Sequence, residues 1–366
     1  MRCLVALLYV CATAYSQKND LRQQLRSAVA EQERGDLATA IRDYEQILKA
    51  RPDLTGARTN LAAALAASGR FDEAIAAYRT ARGQKPGDRD IRKNLGLALY
   101  SKGDLEAAAV ELRAVAAGDA RVTIVLAECD LRSGRTAQAL ALLDNLPAGA
   151  GAFGEASYLR GMALIRTGKA EAGVAFVEQY ALQTNNADAL LLAGATQLNL
   201  GRIADARRTL DQLVAQHGEL PGALSWAALA HDRAGDEEGA KMLFQRALKA
   251  DPDDFDANLH LGAVLFRQRD YSAAQPPIDK ALSLHPESPM AQYAHALLES
   301  AQGQTAKAVE DLERIARASA EWIEPHVKLS ALYFKLRRDA DGERERAIVE
   351  RLKADRTGRS SPFETQ

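Results

Sequence analysis

The sequence is poor in aromatic residues, in cysteine and in net charge. Aromatic residues make up 5% of its 366 positions, and there are three cysteines. Lys and Arg together number 47 against 49 Asp and Glu, which gives a formal net charge of −2. A chain without excess positive charge has no electrostatic basis for binding nucleic acid or an anionic membrane. We therefore expect neither among its partners.

Long apolar runs are also missing. Arg2 precedes an apolar run from Leu4 to Ala14, which is shorter than the ~20 residues that a membrane-spanning helix needs. No other segment comes near that length. Small residues at Ala12, Ala14 and Ser16 complete a pattern that is typical of a secretory signal peptide. The pattern predicts cleavage after Ser16, or alternatively after Ala14, and an exported mature protein, periplasmic or secreted, without an integral membrane segment.

Cysteine usage predicts a mature chain without disulfides. Cys3 and Cys11 would leave with the signal peptide, so that only Cys129 remains and no internal disulfide can form. Lipidation of Cys11 is disfavoured because Tyr9 and Val10, rather than small residues, precede it. Cys129 falls in a helical segment, where we expect an inert, partly buried thiol.

Patterns typical of catalysis are missing as well. The chain lacks a G-x-S-x-G motif, and its segment GAGAFG has neither the preceding strand nor the lysine of a phosphate-binding loop. We find no histidine at metal-ligand spacing from another histidine, a cysteine or a paired carboxylate. The sequence therefore predicts no enzyme, no cofactor and no metal. The six histidines are His217, His231, His260, His285, His295 and His326.

What the sequence does contain is a repeat. Small residues recur at steps of 31 to 34 residues along almost the whole chain, a second small series follows twelve residues later, and glycines lie between the two. Three series in one phase predict a stacked helical repeat. The first series is Ala28, Ala62, Gly96, Ala127, Gly161, Gly194, Ala228, Gly262, Ala296 and Ser330. The second is Ala40, Ala74, Ala108, Ala139, Gly173, Ala206, Ala240, Ala274, Ala308 and Gly342. The glycines are Gly35, Gly69, Gly103, Gly134, Gly168, Gly201, Gly235 and Gly303.

The unit at residues 55–88 illustrates how one repeat folds. Leu61 lies on an apolar helical face beside the small residue Ala62, and Gly69 ends that helix. A second amphipathic helix follows and ends at Pro86, because proline cannot donate the next backbone hydrogen bond. The small residues let the two helices approach closely. One hairpin leaves apolar surface exposed, so successive hairpins stack into a solenoid.

The period, the small–Gly–small phasing and the closing proline resemble the tetratricopeptide repeat (TPR). The segments GDLATAIRDYEQILKARPD, GRFDEAIAAYRTARGQKPGD and GDEEGAKMLFQRALKADPDD are similar to the second helix of that family. The resemblance implies an all-α fold, a right-handed α-solenoid of about ten helix-turn-helix repeats, in a TPR protein of the exported bacterial type. The expected organisation is a signal peptide at 1–16, a solenoid at 17–354 and a disordered tail at 355–366. The repeats are expected near 21–54, 55–88, 89–119, 120–153, 154–186, 187–220, 221–254, 255–288, 289–322 and 323–354.

Some repeats depart from the pattern. The third repeat is 31 residues long and lacks the closing proline. Residues 147–154, PAGAGAFG, form either a hinge between the fourth and fifth repeats or an irregular loop, and both interpretations stay open. Pro276 and Pro277 predict a local kink in a second helix. The densely charged second helix of the last repeat is typical of a capping repeat.

The resemblance also implies where a partner would bind. In TPR proteins the first helix of each repeat lines a concave groove, and positions one and four residues after the first small residue, or three before it, face inward. These positions are mostly apolar here, although each side chain could instead pack against the neighbouring repeat. The predicted partner-binding residues are Leu97, Tyr100, Leu131, Tyr158, Met162, Ile165, Leu191, Leu198, Leu229, Leu259, Phe266, Tyr293, Leu297 and Phe334.

A cationic residue recurs one position further along these helices. One interpretation is a favourable charge at each helix C-terminus. The other is a basic rail that pairs with acidic groups of a bound partner. The basic rail consists of Arg132, Arg166, Arg233, Arg267 and Lys335.

One slot of the first helix, which in this family usually holds a large apolar residue, is polar in several repeats. It is occupied by Asp130, Gln197, His231 and Glu299. One interpretation is a buried polar relay. The other, which we expect, is a set of partly solvated positions with side chains that reach the helix end.

The leading functional hypothesis is a non-enzymatic protein–protein interaction scaffold of the bacterial cell envelope, which binds a peptide or protein segment in the concave groove. The alternative is an accessory non-catalytic subunit of an envelope enzyme or of a glycan or polysaccharide export complex. Self-association through the convex face is a third interpretation.

Overall fold

The computed structural model describes residues 20–146, 153–218, 220 and 222–359, and within these residues it contains helices and turns but no strand. The predicted signal peptide, most of the joint at 147–154 and the end of the chain lie outside the described residues. The fold is all-α, as predicted, and consecutive helices pack together as hairpins. No helix in the described ranges combines the length and the apolar character needed to cross a membrane.

The chain divides into two compact units, and the first is Met1–Thr184. Its described helices form five hairpins, in which each helix packs against the next one along the chain. The helices are α1 (20–33), α2 (Leu37–Ala50), α3 (Thr55–Ala67), α4 (Phe71–Gln84), α5 (Arg89–Lys102), α6 (Leu105–Arg113), α7 (Ala120–Arg132), α8 (Thr136–Asp144), α9 (Phe153–Arg166) and α10 (Ala170–Thr184).

The second unit, Asn185–Gln366, is built in the same way from five further hairpins. Its helices are α11 (Ala187–Asn199), α12 (Ile203–His217), α13 (Ala223–Arg233), α14 (Glu237–Ala250), α15 (Phe255–Arg267), α16 (Tyr271–Leu284), α17 (Pro289–Ala301), α18 (Thr305–Ala318), α19 (Ile323–Lys335) and α20 (Asp339–Arg359).

The glycine series marks the turn between the two helices of each hairpin. All eight of its members have φ angles between 74° and 91°, in the left-handed region that favours glycine. Two repeats have no glycine at this turn. There Arg269 and Arg337 adopt the same conformation, with φ angles of 61° and 60°. The left-handed turn is therefore present even in the two repeats where the residue is not glycine.

The small residues mark the close contacts between paired helices, as predicted. A Cβ atom on Gly262 of α15 would lie 2.4 Å from Cγ1 of Ile278 in α16. A Cβ atom on Gly194 of α11 would lie 2.5 Å from Cγ of Leu210 in α12. Real Cβ contacts do not come this close, so only glycine fits at these two crossings. Where the series holds alanine, as at Ala62 and Ala296, the residue is fully buried.

The fourth and fifth repeats share a hydrophobic core on both sides of the joint at 147–154. Leu131 of α7 and Leu143 of α8 belong to the same buried cluster as Leu159 of α9. In addition, Arg160 Nη2 lies 2.8 Å from Asp144 Oδ1. Because this packing continues past the joint, it argues against a hinge there. The boundary between the compact units lies one repeat later, between Thr184 and Asn185.

Two helices continue past points where the sequence predicts a kink or an end. Helix α16 runs through Pro276 and Pro277. The carbonyl groups of Ser272 and Ala273, which lose their helical partners to these prolines, belong to exposed residues that water can reach. Helix α20 extends to Arg359, beyond the predicted solenoid end at 354, so the expected tail begins later than 355. Its Glu, Arg, Leu, Lys and Ala residues are strong helix formers, and no proline follows until Pro362.

Candidate functional site

The first helices of consecutive repeats contact one another within each unit. In the first unit α3 contacts α5, α5 contacts α7 and α7 contacts α9. In the second unit α11, α13, α15 and α17 form the same kind of series. No two consecutive second helices in the described ranges contact each other to this extent. The first helices therefore lie closer together, and we call their partly accessible side chains the first-helix face.

Most of the predicted partner-binding residues lie on this face. The structure leaves them partly accessible to solvent. In the first unit they are Leu97, Tyr100, Tyr158, Met162 and Ile165. In the second unit they are Leu191, Leu229, Phe266, Tyr293 and Leu297, together with Phe334, which is 37% exposed.

Three predicted partner-binding residues are buried, and their assignment to the accessible surface is wrong. Leu131 is 1% exposed because it packs in the cluster that contains Leu159 of the next first helix. Leu259 is 7% exposed and packs with Ala281 and Ala291. Leu198 is 1% exposed. For these positions the alternative interpretation, packing against neighbouring helices, is the correct one.

Contacts between neighbouring repeats hold the aromatic side chains of this face in place. The Tyr100 hydroxyl donates a hydrogen bond of 2.5 Å to Oε2 of Glu128, one repeat later. Burial and the adjacent Glu128 carboxylate raise the pKa of Tyr100 well above its ordinary value of 10.0. Tyr293 packs against the ring of Trp322 with a centroid distance of 4.9 Å. Side chains fixed in this way lose little further entropy when a partner binds.

A small cavity of about 280 Å³ lies on α13 and α15 in the second unit. Asp254 forms part of its wall, where Oδ1 accepts from the Ala257 amide at 2.9 Å and Oδ2 accepts from Ser225 Oγ at 2.6 Å. Burial lowers the pKa of His260, so its imidazole is neutral at pH 7. The cavity includes the predicted residue Leu229. Its lining consists of Gly222, Ser225, Trp226, Leu229, Asp254, Asp256 and His260.

The arginines of the basic rail mostly contact the protein itself. Arg166 donates from Nη1 to the carbonyl oxygen of Leu131 at 2.8 Å. Arg267 contacts Glu237, with 2.9 Å between Nε and Oε1, and also pairs with Asp232. Arg132 lies 3.5 Å from Glu128 on its own helix.

Arg233 makes the same kind of contact as Arg166, since its Nη1 donates to the Leu198 carbonyl at 3.1 Å. Lys335 makes no ion pair within the part of the chain that the structure describes. For Arg166 and Arg233 the structure thus favours the first interpretation, a cation at a helix C-terminus. The C-terminus that each arginine contacts is that of the first helix of the preceding repeat.

The polar slot is more deeply buried than expected. Asp130, Gln197 and Glu299 are at most 3% exposed, so the expectation of partly solvated positions is wrong for them. They lie between helices because the slot faces the second helices rather than the helix end. Both carboxylate oxygens of Asp130 accept from Arg113 Nη2, at 2.8 and 2.7 Å, and Oδ1 also accepts from Arg135 Nε at 2.7 Å. The buried charge is therefore compensated by two guanidinium groups.

His231, in the same slot, is only partly buried and lies between two carboxylates. Its Nε2 is 2.8 Å from Oδ1 of Asp211, and its Nδ1 is 2.8 Å from Oδ2 of Asp236. A ring with both nitrogens protonated donates to both carboxylates at once. The contact joins α13 to α12 of the preceding repeat.

The short third repeat leaves a cavity that sequence reasoning missed. Helices α6 and α8 have nine residues each, whereas α2 and α4 have fourteen. A cavity of about 790 Å³ lies beside them, and the Arg113–Asp130 pair lines one side. The shortness of α6 was visible in the sequence, because the third repeat has 31 residues where most repeats have 34. The remaining lining residues are Ala116, Ala117, Gly118, Asp119, Ala120, Thr123, Leu126, Gln138, Ala141, Leu142, Asn145 and Leu146.

The cysteine is as unreactive as the sequence predicted. Cys129 is fully buried in α7 and is a free thiol. Burial, and then the charge of Glu128, raises its pKa to about 11. At neutral pH the thiol is therefore protonated.

Comparisons with known families find the tetratricopeptide repeat along the chain. One model of this repeat matches residues 32–96, 65–121 and 233–298. A second matches residues 191–255, and a third matches residues 120–145. No curated protein matches the chain.

Several solved structures are similar in fold. MamA from Desulfovibrio magneticus RS-1 is 22% identical, covers 48% of this chain and 97% of its own, and has a TM-score of 0.40. Yeast Tom70 is 15% identical over 92% of this chain and 77% of its own, with a TM-score of 0.42. The APC/C hetero-tetramer Cut9–Hcn1 is 11% identical over 91% of this chain and 87% of its own, with a TM-score of 0.45.

Proposed function

Because the chain belongs to the tetratricopeptide repeat family, we propose that it is a non-enzymatic scaffold that binds a polypeptide segment along the first-helix face. Tetratricopeptide repeats generally act as protein-interaction modules rather than as catalysts. The observation that carries the proposal is the cavity on α13 and α15, because it combines apolar and acidic groups on the accessible side of two adjacent first helices.

The chemistry of this cavity favours a basic side chain of the partner. The indole of Trp226 and the side chain of Leu229 supply apolar surface. The exposed carboxylate of Asp256 makes no ion pair within the described ranges of the chain. A Lys or Arg side chain combines an apolar stem with a cation, which can contact an aromatic face and a carboxylate together. We therefore propose a partner segment with a basic anchor residue.

Apolar side chains elsewhere on the face would hold the flanking residues of that segment. Tyr293 and Leu297 lie on α17 of the same unit and are partly accessible. An extended or helical segment could place apolar residues against them, which is the helix-in-groove mode of recognition or its extended counterpart. The tyrosine is already oriented by Trp322.

Selection from a displayed peptide library tests the binding proposal. The full chain is immobilised, enriched peptides are synthesised, and their affinities are measured by fluorescence polarisation. We expect enriched peptides to contain Lys or Arg beside apolar residues. Leu229→Glu and Asp256→Lys should each weaken binding at least about tenfold, which corresponds to about 1.4 kcal/mol of binding free energy.

Met242→Glu is the matched control, because Met242 is 61% exposed but lies on the second helix α14. It should leave the affinity unchanged. Equal binding by the wild type and Leu229→Glu, or peptides without basic residues, would contradict the proposal.

We further propose that this scaffold works in the bacterial cell envelope, after export and removal of residues 1–16. The support is the short apolar run that follows Arg2 and ends in small residues. Mass determination of the protein recovered from a periplasmic fraction tests this point. The expected mass is that of a chain beginning at Gln17 or Tyr15, and an unprocessed cytoplasmic protein would contradict it.

A further inference from the structure

Three side chains of types that bind metal ions lie close together in the ninth repeat, outside the cavity on α13 and α15. His295 and Glu299 are four residues apart on α17, and Asp311 lies on α18. One ligand atom from each of the three lies within 4.8 Å of the others. Glu299 is buried, and the other two residues are partly buried. The i,i+4 spacing places the imidazole and the Glu299 carboxylate on the same side of the helix.

The two nitrogens of His295 face different groups. Nδ1 lies 3.5 Å from Oε1 of Glu299, toward the cluster. Nε2 lies 3.6 Å from Oδ1 of Asp279, on α16 of the preceding repeat. In a metal-bound histidine one nitrogen usually binds the ion and the other donates to a carboxylate, and at 3.6 Å Asp279 is near enough to take that place after a small ring movement.

The burial of the Glu299 carboxylate also supports a metal ion at this place. The residue is 3% exposed, and its Oε2 has no hydrogen-bond partner among the residues that the structure describes. A buried carboxylate oxygen without a partner is costly, and its presence in a folded protein indicates an ion or water that satisfies it. Its other oxygen, Oε1, lies 2.6 Å from Lys307 Nζ. The side chain of Lys307 is 60% exposed, so its ammonium group can move into solvent.

Asp311 also keeps one oxygen available. Its Oδ1 accepts from Arg314 at 2.6 Å, which leaves Oδ2 without that contact. Each of the three residues thus has a ligand atom that is not committed to a strong hydrogen bond: a ring nitrogen, Oε2 and Oδ2. One imidazole and two carboxylates form a donor set that suits zinc.

We infer that His295, Glu299 and Asp311 bind one Zn²⁺ ion, with Asp279 orienting the imidazole and Lys307 competing for the Glu299 carboxylate. Bond lengths of about 2.0–2.2 Å require ligand atoms to lie roughly 3.4 Å apart in a tetrahedron. The side chains close by rotamer changes, while Lys307 turns outward. Three protein ligands leave a fourth position for water. Because the ligands come from both helices of one hairpin, the bound ion stabilises the pairing of α17 with α18.

Zinc titration of the full chain tests this site, with the affinity measured by competition with a chromogenic chelator after EDTA treatment and its removal. We expect one Zn²⁺ per chain and a higher melting temperature with zinc. His295→Ala and Asp311→Asn should abolish this binding, and Asp279→Asn should weaken it about 10- to 100-fold. His285→Ala is the matched control, because His285 is an exposed histidine that contacts Glu287 and the ring of Phe255 and lies outside the cluster. It should bind zinc as the wild type does.

Lys307→Met separates metal binding from folding defects, since a misfolded variant cannot gain affinity. Removing the competing ammonium group should tighten zinc binding severalfold. Cobalt substitution should give the visible absorption of a four-coordinate ion with nitrogen and oxygen ligands. The inference is overturned if the wild type does not bind zinc, if His295→Ala and Asp311→Asn bind it as tightly as the wild type, or if Lys307→Met weakens binding.

Discussion

Arg233 donates a hydrogen bond to the carbonyl oxygen of Leu198, 3.1 Å away and 35 residues earlier in the chain. Arg166 and Leu131 form the same contact at the same sequence separation, at 2.8 Å. In both cases the carbonyl belongs to the last turn of the preceding first helix, where it also accepts from the amide of the turn glycine, Gly134 at 3.2 Å or Gly201 at 3.1 Å. Consecutive first helices are therefore joined by a charged hydrogen bond as well as by apolar packing.

Arg166→Met should remove this bond while keeping most of the apolar side chain. We expect the free energy of unfolding to fall by about 1–2 kcal/mol, because a carbonyl loses a charged donor. Urea denaturation measures the loss. Arg132→Met is the control, since Arg132 pairs within the described ranges only with Glu128 on its own helix, and should cost less than about 0.5 kcal/mol. Equal losses in the two variants would refute a special role for the bond between repeats.

Arg269→Gly should stabilise the protein. Arg269 holds the left-handed turn with a φ of 61°, at the place where other repeats have glycine. A residue with a Cβ atom pays about 1–2 kcal/mol for this conformation, and glycine does not. The gain is reduced because glycine loses more entropy on folding, so we expect about 1 kcal/mol.

Thermal and urea denaturation check this expectation, and Arg337→Gly should behave alike. The reverse change, Gly235→Arg, should destabilise, because Gly235 has a φ of 80° in the equivalent turn. A destabilising Arg269→Gly would indicate that contacts of the arginine side chain outweigh the backbone conformation.

Gly262→Ala should destabilise the pairing of α15 with α16. The added Cβ would lie 2.4 Å from Ile278 Cγ1, so the helices must separate or the isoleucine must change rotamer. Overpacking of this kind costs roughly 1–3 kcal/mol. Gly83→Ala in α4 is the control, because a Cβ there has no neighbour within 4 Å. The control should be neutral or slightly stabilising, as alanine is the better helix former.

Acidification should weaken the contact between Lys93 and Asp119. Lys93 Nζ lies 2.5 Å from Oδ2 of Asp119, and this contact holds the pKa of the Asp119 carboxyl below its ordinary value of 3.8. A lowered pKa in the folded state contributes stability that is fully present above pH 3.8 and is lost as the pH falls further.

The measurement is the free energy of unfolding by urea between neutral pH and pH 3, for the wild type and Lys93→Met. The variant should lose less stability on acidification than the wild type. Lys49→Met, at an exposed lysine of α2, should keep the wild-type dependence. Parallel curves for the wild type and Lys93→Met would show that the ion pair does not contribute.

The architecture could be read from the sequence because its signals are local. A glycine in a turn predicts a positive φ angle. A small residue within a helix predicts a close contact with the paired helix, as between Gly194 and Leu210. Neither signal depends on distant parts of the chain. The same logic found Leu229 on the first-helix face, since its position within the helix sets its direction.

Burial and side-chain partners were less predictable, because they depend on which residues the neighbouring repeats supply. Leu131 and Phe266 occupy the same position in their helices, yet only Leu131 is buried, beside Leu159. His295 and Glu299 are four residues apart, which we did not count as metal-ligand spacing in the sequence, and Asp279 and Asp311 come from two other helices. Their convergence requires the packing of three helices, which no single spacing encodes.

Polar contacts between repeats also constrain which repeats can be neighbours. Asp130 of the fourth repeat receives Arg113 from the third, and His231 of the seventh repeat contacts Asp211 from the sixth. A hairpin moved to another place in the series would have the same shape but would lack these partners from the preceding repeat. Arg135 would move with Asp130, but Arg113 would stay behind, so the buried carboxylate would keep one guanidinium partner instead of two. The hairpins that make these contacts are therefore matched to their neighbours in the series, and exchanging them should lower the stability of the fold.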